Sequence, residues 1–333
     1  MRLSTGLLVL AVGACGSGGE VTGPPDAPVN APIDARPPGA DANMNLLSQA
    51  GLYSDFAART VAPDLVEFAP AFPLWSDGLV KRRWVRLPPG GKVDSADMDH
   101  WTFPVGTQFW KEFRTAGGTI LETRLIERVG ATDFRMGAYV WNDAQTEATY
   151  TTGGAMNVLG TDHDVPTASD CVNCHRGEQG RILGFAAVQV TPAPAGIGFT
   201  VAPRAQGYKP AWTIPLGYLH ANCGNCHNPN GSAWSATQML LRIGVAEVDG
   251  APTATAMYTN IVGVPTQTYH AGEPCGAWAG VTWQRIAPMN LACSAIYVRM
   301  MARGSLSGQM PPIATKHADA VAVAAVAAWI GML

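Results

Sequence analysis

The stretches Cys223-Gly224-Asn225-Cys226-His227 and Cys171-Val172-Asn173-Cys174-His175 dominate the interpretation of this chain. Each reads Cys-x-x-Cys-His, the attachment sequence for c-type haem. Two thiols at this spacing reach the two vinyl groups of one porphyrin, and the imidazole that follows ligates the iron. The chain has only 7 cysteines and 7 histidines in 333 residues, so two chance matches are not a reasonable explanation. We predict two covalently attached haem c groups, with thioethers at Cys171, Cys174, Cys223 and Cys226 and proximal iron ligands at His175 and His227.

Two other chemistries use paired cysteines, namely a zinc site and a redox dithiol. Zinc ribbons usually place their two Cys-x-x-Cys pairs about 15–20 residues apart. Here 48 residues separate Cys174 from Cys223. Neither a zinc site nor a thioredoxin-like dithiol needs a histidine directly after each pair, and a dithiol is not expected twice. The sequence therefore favours haem attachment over both.

The N-terminal residues predict export. An apolar run from Leu7 to Val12 is too short to span a bilayer, and the small residues that follow it end at Cys15. The ending resembles a bacterial lipobox, so residues 1–15 are predicted to be a lipoprotein signal peptide with lipidation at Cys15. The protein is then periplasmic, or anchored to the outer membrane through this lipid. A net charge of −3 gives no reason to expect a nucleic-acid partner.

The next segments differ in composition and periodicity. Residues 16–44 are rich in Pro, Gly, Ala and Asp without apolar periodicity, which predicts a disordered tether. Residues 45–160 contain short runs of period two, among them Thr107–Arg114 and Gly137–Trp141, and are predicted to form a β-rich domain. A third run, Leu121–Val129, alternates apolar and charged side chains.

The remaining sequence is expected to hold the two haems. Residues 161–208 are a loop-rich first haem segment, too short to enclose a haem alone, so this haem is expected to pack against the β-rich domain or the second haem domain. Residues 209–333 are predicted to be a mostly α-helical, cytochrome c-like domain, with a helix over 212–222 and a last helix over 320–332. The fold class predicted for the whole chain is α+β multidomain.

The last predicted helix has a candidate N-cap and one apolar face. Asp319 is a plausible N-cap, and Val323, Val326 and Ile330 follow the spacing of one buried face. In small cytochromes of this type the first and last helices cross next to an aromatic side chain, a place that Trp329 would take.

The distal iron ligands are predicted unequally. Met310 lies in Gly308-Gln309-Met310-Pro311-Pro312, where two prolines stiffen the chain and present the thioether, so we expect it to ligate the second haem. For the first haem the sequence leaves open coordination and several ligands possible: Met136, Met156, His163, His220 and Met300.

Cys275 and Cys293 are the remaining cysteines besides Cys15. In an oxidising compartment they are expected to form a disulfide, although two free thiols are the alternative. A closed loop of that length contributes about 3 kcal/mol to stability in the chain-entropy model.

Several short motifs follow one another along the chain: Trp75-Ser76-Asp77-Gly78 with Lys81, Leu87-Pro88 with Gly90, Phe103-Pro104 with Gly106-Thr107, Glu122-Thr123-Arg124, Tyr139-Val140-Trp141-Asn142, both haem motifs, Arg299-Met300, Met310-Pro311-Pro312 and Trp329-Ile330. In this order they resemble a family of bacterial dihaem c-type cytochromes with an N-terminal β-rich domain. The resemblance implies electron transfer in the periplasm or at the outer membrane. The segment between Cys275 and Cys293 is a departure, because the family proceeds almost directly from a Gly-Glu-Pro word to the stretch matching Ser294-Ala295-Ile296.

Three functions compete at this level. The leading one is an envelope electron carrier in which the two haems relay single electrons between redox protein partners. The second is a dihaem peroxidase or small-molecule oxidase, which needs one open haem and a distal acid–base group such as His163 or Asp162. The third is a binding module whose β-rich domain recognises a partner through Trp75, Trp84, Trp101 and Trp110, although these residues also suit a buried core.

Overall fold

The computed structural model describes residues 44–190, 192–206, 215–276, 280–304 and 308–333. The predicted signal peptide with Cys15, and all of the predicted tether except Met44, lie outside the described residues. Within the described ranges no helix combines the length and the apolar character that a bilayer span requires.

The β-rich part is an antiparallel meander. Its strands are β1 (Tyr53–Asp55), β2 (Thr60–Val61), β3 (Val66–Glu67), β4 (Val80–Arg86), β5 (Gln108–Arg114), β6 (Ile120–Arg128), β7 (Phe134–Trp141) and β8 (Ala148–Thr151). Strands β3 to β8 form one six-stranded sheet in sequence order, and β1 pairs with β2 apart from it. The runs of period two in the sequence therefore predicted β5, β6 and β7 correctly.

Both faces of the larger sheet are covered. One face carries large apolar side chains, including Trp84, Trp110 and Tyr139, which pack with Leu47 and Leu52 from the residues before the sheet. Side chains alternate between faces along a strand, so Glu122 and Arg124 of β6 lie on the other face. That face is also enclosed, and Glu122 is 0% exposed. The sheet is therefore an inner wall and has no broad solvent face.

The helices are short. They are α1 (Ala168–His175), α2 (Leu216–Asn222), α3 (Trp234–Thr237), α4 (Ala256–Ile261), α5 (Ala295–Met301) and α6 (Ala320–Ile330), with 3-10 turns at Leu47–Gln49, Val158–Gly160, Val245–Glu247 and Pro252–Ala254. The predicted last helix is confirmed, and the Asp319 side chain accepts from the Ala322 N–H at 3.1 Å. The helix predicted over 212–222 is α2, which ends at Asn222; residues 212–214 lie outside the described ranges.

The predicted fold class is wrong in its C-terminal part, because the described residues of 209–333 do not form a mostly α-helical, cytochrome c-like domain. The stretch between α4 and α5 contains no helix among its described residues and is held by isolated bridges such as Val262–Ile286 and Pro265–Gln284. The last helix packs mainly against α5, and Trp329 contacts Tyr258 of α4.

One apolar core crosses the predicted domain boundaries. It joins Phe68 and Phe109 of the sheet region, Phe185 of the first motif segment, Leu219 of α2 and Val326 of α6. The domain limits at 160 and 208 remain predictions, but packing is continuous across them.

Candidate functional site

The first Cys-x-x-Cys-His motif is carried by α1. Thr167 and Asp170 form a capping box: the Thr167 hydroxyl oxygen accepts from the Asp170 N–H at 3.2 Å, and the Asp170 carboxylate accepts from the Thr167 N–H at 3.0 Å. The helix then runs through Cys171 and Cys174 and ends at His175. One short helix therefore presents both thiols and the imidazole.

The His175 ring has a defined orientation. Its Nδ1 lies 2.6 Å from the carbonyl oxygen of Arg181. A carbonyl only accepts hydrogen bonds, so Nδ1 carries the proton and Nε2 keeps its lone pair. Burial lowers the pKa of His175 to about 4, which keeps the ring neutral at neutral pH. A neutral imidazole with its second nitrogen held by a carbonyl is the arrangement that metal-ligating histidines usually have.

The second motif begins where α2 ends. Cys223 follows Asn222 directly, packs against the apolar core, and has a thiol pKa that burial raises to about 12. The Nδ1 atom of His227 lies 3.2 Å from the Thr237 hydroxyl oxygen. That hydroxyl donates to the Ala233 carbonyl at 2.8 Å, so it accepts from the imidazole. His227 is 7% exposed, and burial lowers its pKa to about 4. This ring, too, is neutral with Nε2 free to ligate.

The two motifs pack against each other. The thiols of Cys174 and Cys226 share a hydrogen bond, which raises the pKa of Cys174 and lowers that of Cys226. Directly after the first motif, a Cβ on Gly177 would overlap the Asn225 carbonyl oxygen inside the second motif. Glu178 and Arg242 form an ion pair across the same junction. Sequences 48 residues apart therefore form one compact unit.

A cavity of about 440 Å³ lies between the sheet and both motifs. Cys171, Cys174, His175 and Cys226 line it, and Pro311–Thr315 lie at its border. Apolar side chains make up much of the remaining wall, among them Phe68, Phe72, Phe109, Phe113, Ile126, Met136, Ile182 and Leu183. Mostly apolar walls with a few polar groups are typical of cofactor sites.

The sheet contributes charged groups to this cavity. Arg83, Lys111 and Arg124 all line it. The Arg124 guanidinium donates to Glu122 at 2.5 Å, and Glu122 also lies 2.7 Å from Nε2 of His163. Burial raises the pKa of Glu122, but Arg124 and His163 outweigh it and hold that pKa below its usual value. Of these groups, His163 was considered from the sequence, whereas Arg83, Lys111, Glu122 and Arg124 were not singled out as site residues; the alternation of β4, β5 and β6 is the signal that could have found them.

The Trp75-Ser76-Asp77-Gly78 word connects the second motif to the C-terminal loop. The Trp75 backbone N–H donates to the Asn222 side chain at 2.6 Å. The Asp77 carboxylate accepts from the backbone N–H groups of Lys316 and His317 at 2.9 and 3.0 Å. Of the four tryptophans considered for a binding surface, Trp84, Trp101 and Trp110 are buried. These three therefore belong to the core, as the alternative interpretation expected.

Met310 lies in a loop that is fixed at several points. Its backbone N–H donates to the Arg299 carbonyl at 2.8 Å, and the Gln309 side chain donates to the carbonyls of Pro311 and Thr315. Arg299 is near enough to His227 to contribute, after burial, to the lowered pKa of that imidazole. Ligation of the second iron by Met310 stays a prediction.

The five residues considered as distal ligand of the first haem lie in different parts of the structure. Met136 and His163 line the cavity, although Nε2 of His163 is engaged with Glu122. Met156 is 75% exposed. Nδ1 of His220 accepts from the Ile243 N–H, and Met300 is buried in the main core. Only two of the five therefore border the cavity beside the first motif.

Cys275 and Cys293 form a disulfide, with Cα atoms 5.5 Å apart. The bridge lies in a small cluster with Val281 and Trp283. Trp283 in turn stacks on His270 and meets the edge of Tyr269. The two free thiols weighed as the alternative are not what the structure contains.

The donor sets are those that two haem c groups would require, because each motif supplies two thiols and one neutral imidazole with a free nitrogen. Of these donors, Cys171, Cys174, His175 and Cys226 line the cavity, and Cys223 and His227 do not. Among the residues described, no group of three or more His, Cys, Asp or Glu side chains is arranged to hold a metal ion. Searches of family models, curated proteins and solved structures found no match to this chain.

Proposed function

We propose that this chain is a dihaem c-type cytochrome that relays single electrons between redox protein partners of the cell envelope. The observation that carries the proposal is the state of His175 and His227. Each Nδ1 donates to a protein oxygen, Arg181 in one case and Thr237 in the other, and each Nε2 is left for iron. The order of short words resembling the dihaem family supports the same function.

When bound, each haem c would supply an iron that alternates between the ferric and ferrous states. The chain holds and orients these groups through two thiols and one imidazole per motif. The apolar cavity walls exclude water, which limits rearrangement on electron transfer. The tight junction of Gly177 with Asn225 keeps the two attachment sites together, which favours transfer between them.

Export belongs to the proposal. The Cys275–Cys293 disulfide supports an oxidising compartment, because such bridges persist mainly outside the cytoplasm. The lipobox-like residues ending at Cys15 support a lipid anchor. Haem c attachment is completed outside the cytoplasm, so the three features agree.

The test is production of the full chain in a bacterial envelope that carries out haem c attachment. Mass spectrometry is expected to find two covalent haems, one on each motif peptide. Redox titration is expected to show two reversible one-electron steps. Changing both cysteines of one motif to alanine should remove one haem and one step, and a purified native protein without porphyrin would overturn the proposal.

A second candidate, a small-molecule oxidase or peroxidase, is favoured by one cluster. His163 and Arg124 lie on the cavity wall beside the first motif, and both side chains contact Glu122. Such groups suit acid–base work next to an open iron. A high-spin ferric signal and peroxide turnover that falls about 10²-fold or more in His163→Gln would favour this candidate. A wholly low-spin ferric spectrum would remove it.

A further inference from the structure

Three cations form a row across the middle of the cavity wall. Arg83 lies directly opposite Lys111 in the β4–β5 ladder, and Lys111 lies directly opposite Arg124 in the β5–β6 ladder. Side chains at directly opposed positions have Cβ atoms about 5 Å apart, and like charges placed there destabilise a sheet. Such a row inside a protein therefore needs anionic compensation.

Among the described residues, an anion pairs with only one of these three cations. Arg124 forms an ion pair with Glu122 at 2.5 Å. Arg83 is 7% exposed, and neither it nor Lys111 has an ion pair or a side-chain hydrogen bond with any described residue. The Lys111 Nζ lies 4.6 Å from the centroid of the Phe113 ring. Two positive charges are thus left over at the cavity.

The other charged groups nearby are already engaged. Asp170 also lines the cavity; its Oδ2 accepts from the Thr167 N–H and hydroxyl, and it forms no ion pair with Arg83 or Lys111. Lys81, next along β4 on the same face, donates to the Leu74 carbonyl at 2.6 Å. Burial lowers the pKa of both Arg83, to about 10, and Lys111, as expected of cations without an anion.

We propose that Arg83 and Lys111 bind the two propionate carboxylates of the haem attached at the first motif. The inference rests on the proposed function, and it assigns a role to residues outside both motifs. Two uncompensated cations match the two carboxylates of one haem. The same cavity wall is lined by Cys171, Cys174 and His175. A guanidinium and an ammonium in a site shielded from water bind carboxylates strongly.

The test uses the haem-loaded full chain with Lys111→Met and Arg83→Met. Loss of a buried positive charge favours ferric iron, so one of the two midpoint potentials is expected to fall, equivalent to about a tenfold shift in the reduction equilibrium. The other potential should not move. The resonance Raman propionate bending mode of one haem is expected to shift as well.

Matched controls come from the same region. Arg82→Met removes a cation from the same strand, but Arg82 is paired with Glu67 on the opposite face. Lys92→Met removes an exposed cation. Both should leave potentials and propionate modes unchanged. If Lys111→Met fails to retain the first haem, Lys111→Arg is expected to restore it, since the charge is kept; failure of both variants would overturn the inference.

Other outcomes separate this inference from the function it rests on. Haem-loaded Lys111→Met and Arg83→Met proteins with unchanged potentials and propionate modes would overturn the role of these residues and leave the cytochrome proposal intact. A free dicarboxylate is the other source of two carboxylates. If added malonate shifted the wild-type spectrum and potential while the propionate modes stayed constant in the variants, the cations would serve that anion, and the propionate assignment would fall. A wild-type chain without haem would instead defeat the proposed function.

Discussion

At the residue scale, the orientation of the two imidazoles matters most. Thr237→Val removes the acceptor of His227 Nδ1–H and keeps the side-chain shape. An imidazole without this acceptor donates less electron density to iron, so the potential of one haem is expected to rise. Loss of such a hydrogen-bond partner of a metal-ligating histidine typically lowers metal affinity or activity about 10–100-fold. Redox titration measures the shift. Thr259→Val, whose hydroxyl bonds only to helix carbonyls, is the control and should leave both potentials in place.

Glu122 gives a prediction about pH. Its pKa is held below the ordinary value of 4.5, so its contribution to stability is present above that value and is lost as pH falls through the folded-state pKa. Glu122→Gln leaves Arg124 as a buried charge without its anion and is expected to cost about 3 kcal/mol at pH 7.

Denaturant unfolding at several pH values checks this. The difference between wild type and Glu122→Gln should shrink below about pH 4. Glu273→Gln breaks an exposed pair with His270 and should cost less than about 1 kcal/mol. A constant difference across the whole pH range would contradict the expected role of the Glu122 charge.

At the scale of elements, the junction of the two motifs is the most sensitive place. Gly177→Ala puts a Cβ against the Asn225 carbonyl oxygen, and backbone cannot move aside easily. We expect a loss of about 1–3 kcal/mol in the free energy of unfolding. Gly117→Ala, in the exposed β5–β6 turn, has only the Thr115 hydroxyl at 3.7 Å and should change stability by less than about 0.5 kcal/mol. Equal effects of the two substitutions would contradict the packing described.

The disulfide gives a second prediction at this scale. Replacing both Cys275 and Cys293 with alanine is expected to lower the free energy of unfolding by about 3 kcal/mol, because the bridge closes a loop of 18 residues. Haem content, measured on the same samples, should not change, since neither residue belongs to a motif. Addition of reductant should destabilise the wild type and leave the variant unaffected.

The sequence predicted these elements unevenly. Strands β5 to β7 follow from period two, and α6 follows from the spacing of Val326 and Ile330 together with the Asp319 cap. The C-terminal part could not be predicted in this way, because its long irregular segments are held by bonds between residues far apart in sequence, such as Arg285 with Asn260. A local pattern carries no record of such partners, and the likeness of 209–333 to a small cytochrome c domain, inferred from helices expected at 212–222 and 320–332, gave a wrong fold class.

The candidate site, too, could be predicted only in part. The attachment residues could be identified because each Cys-x-x-Cys-His motif lies within five consecutive residues. Arg83 and Lys111 were not identified, since only the pairing of β4 with β5 brings them side by side on the cavity wall. The contact of Cys174 with Cys226 likewise depends on how two distant segments pack.

At the scale of the whole molecule, the continuous core predicts cooperative behaviour. A fragment ending at residue 160 would expose Phe68, Val85 and Phe109, which pack against Phe185 and α2 in the full chain. We expect this fragment to aggregate or to bind a hydrophobic dye, and the full chain to unfold in one transition. Calorimetry and dye fluorescence measure both. A soluble, dye-free fragment with its own sharp transition would show that the sheet is an independent domain.

The enclosure of the sheet on both sides bears on how this protein tolerates change. A strand with one solvent-exposed face can vary at every second position, but side chains at almost all positions of β5 and β6 have neighbours. Sequence variation in this region should therefore concentrate in the turns between strands. In the β5–β6 turn, residues 116–119 are all exposed. The same tip is the natural place to attach a spectroscopic label or an affinity handle without disturbing either side of the wall.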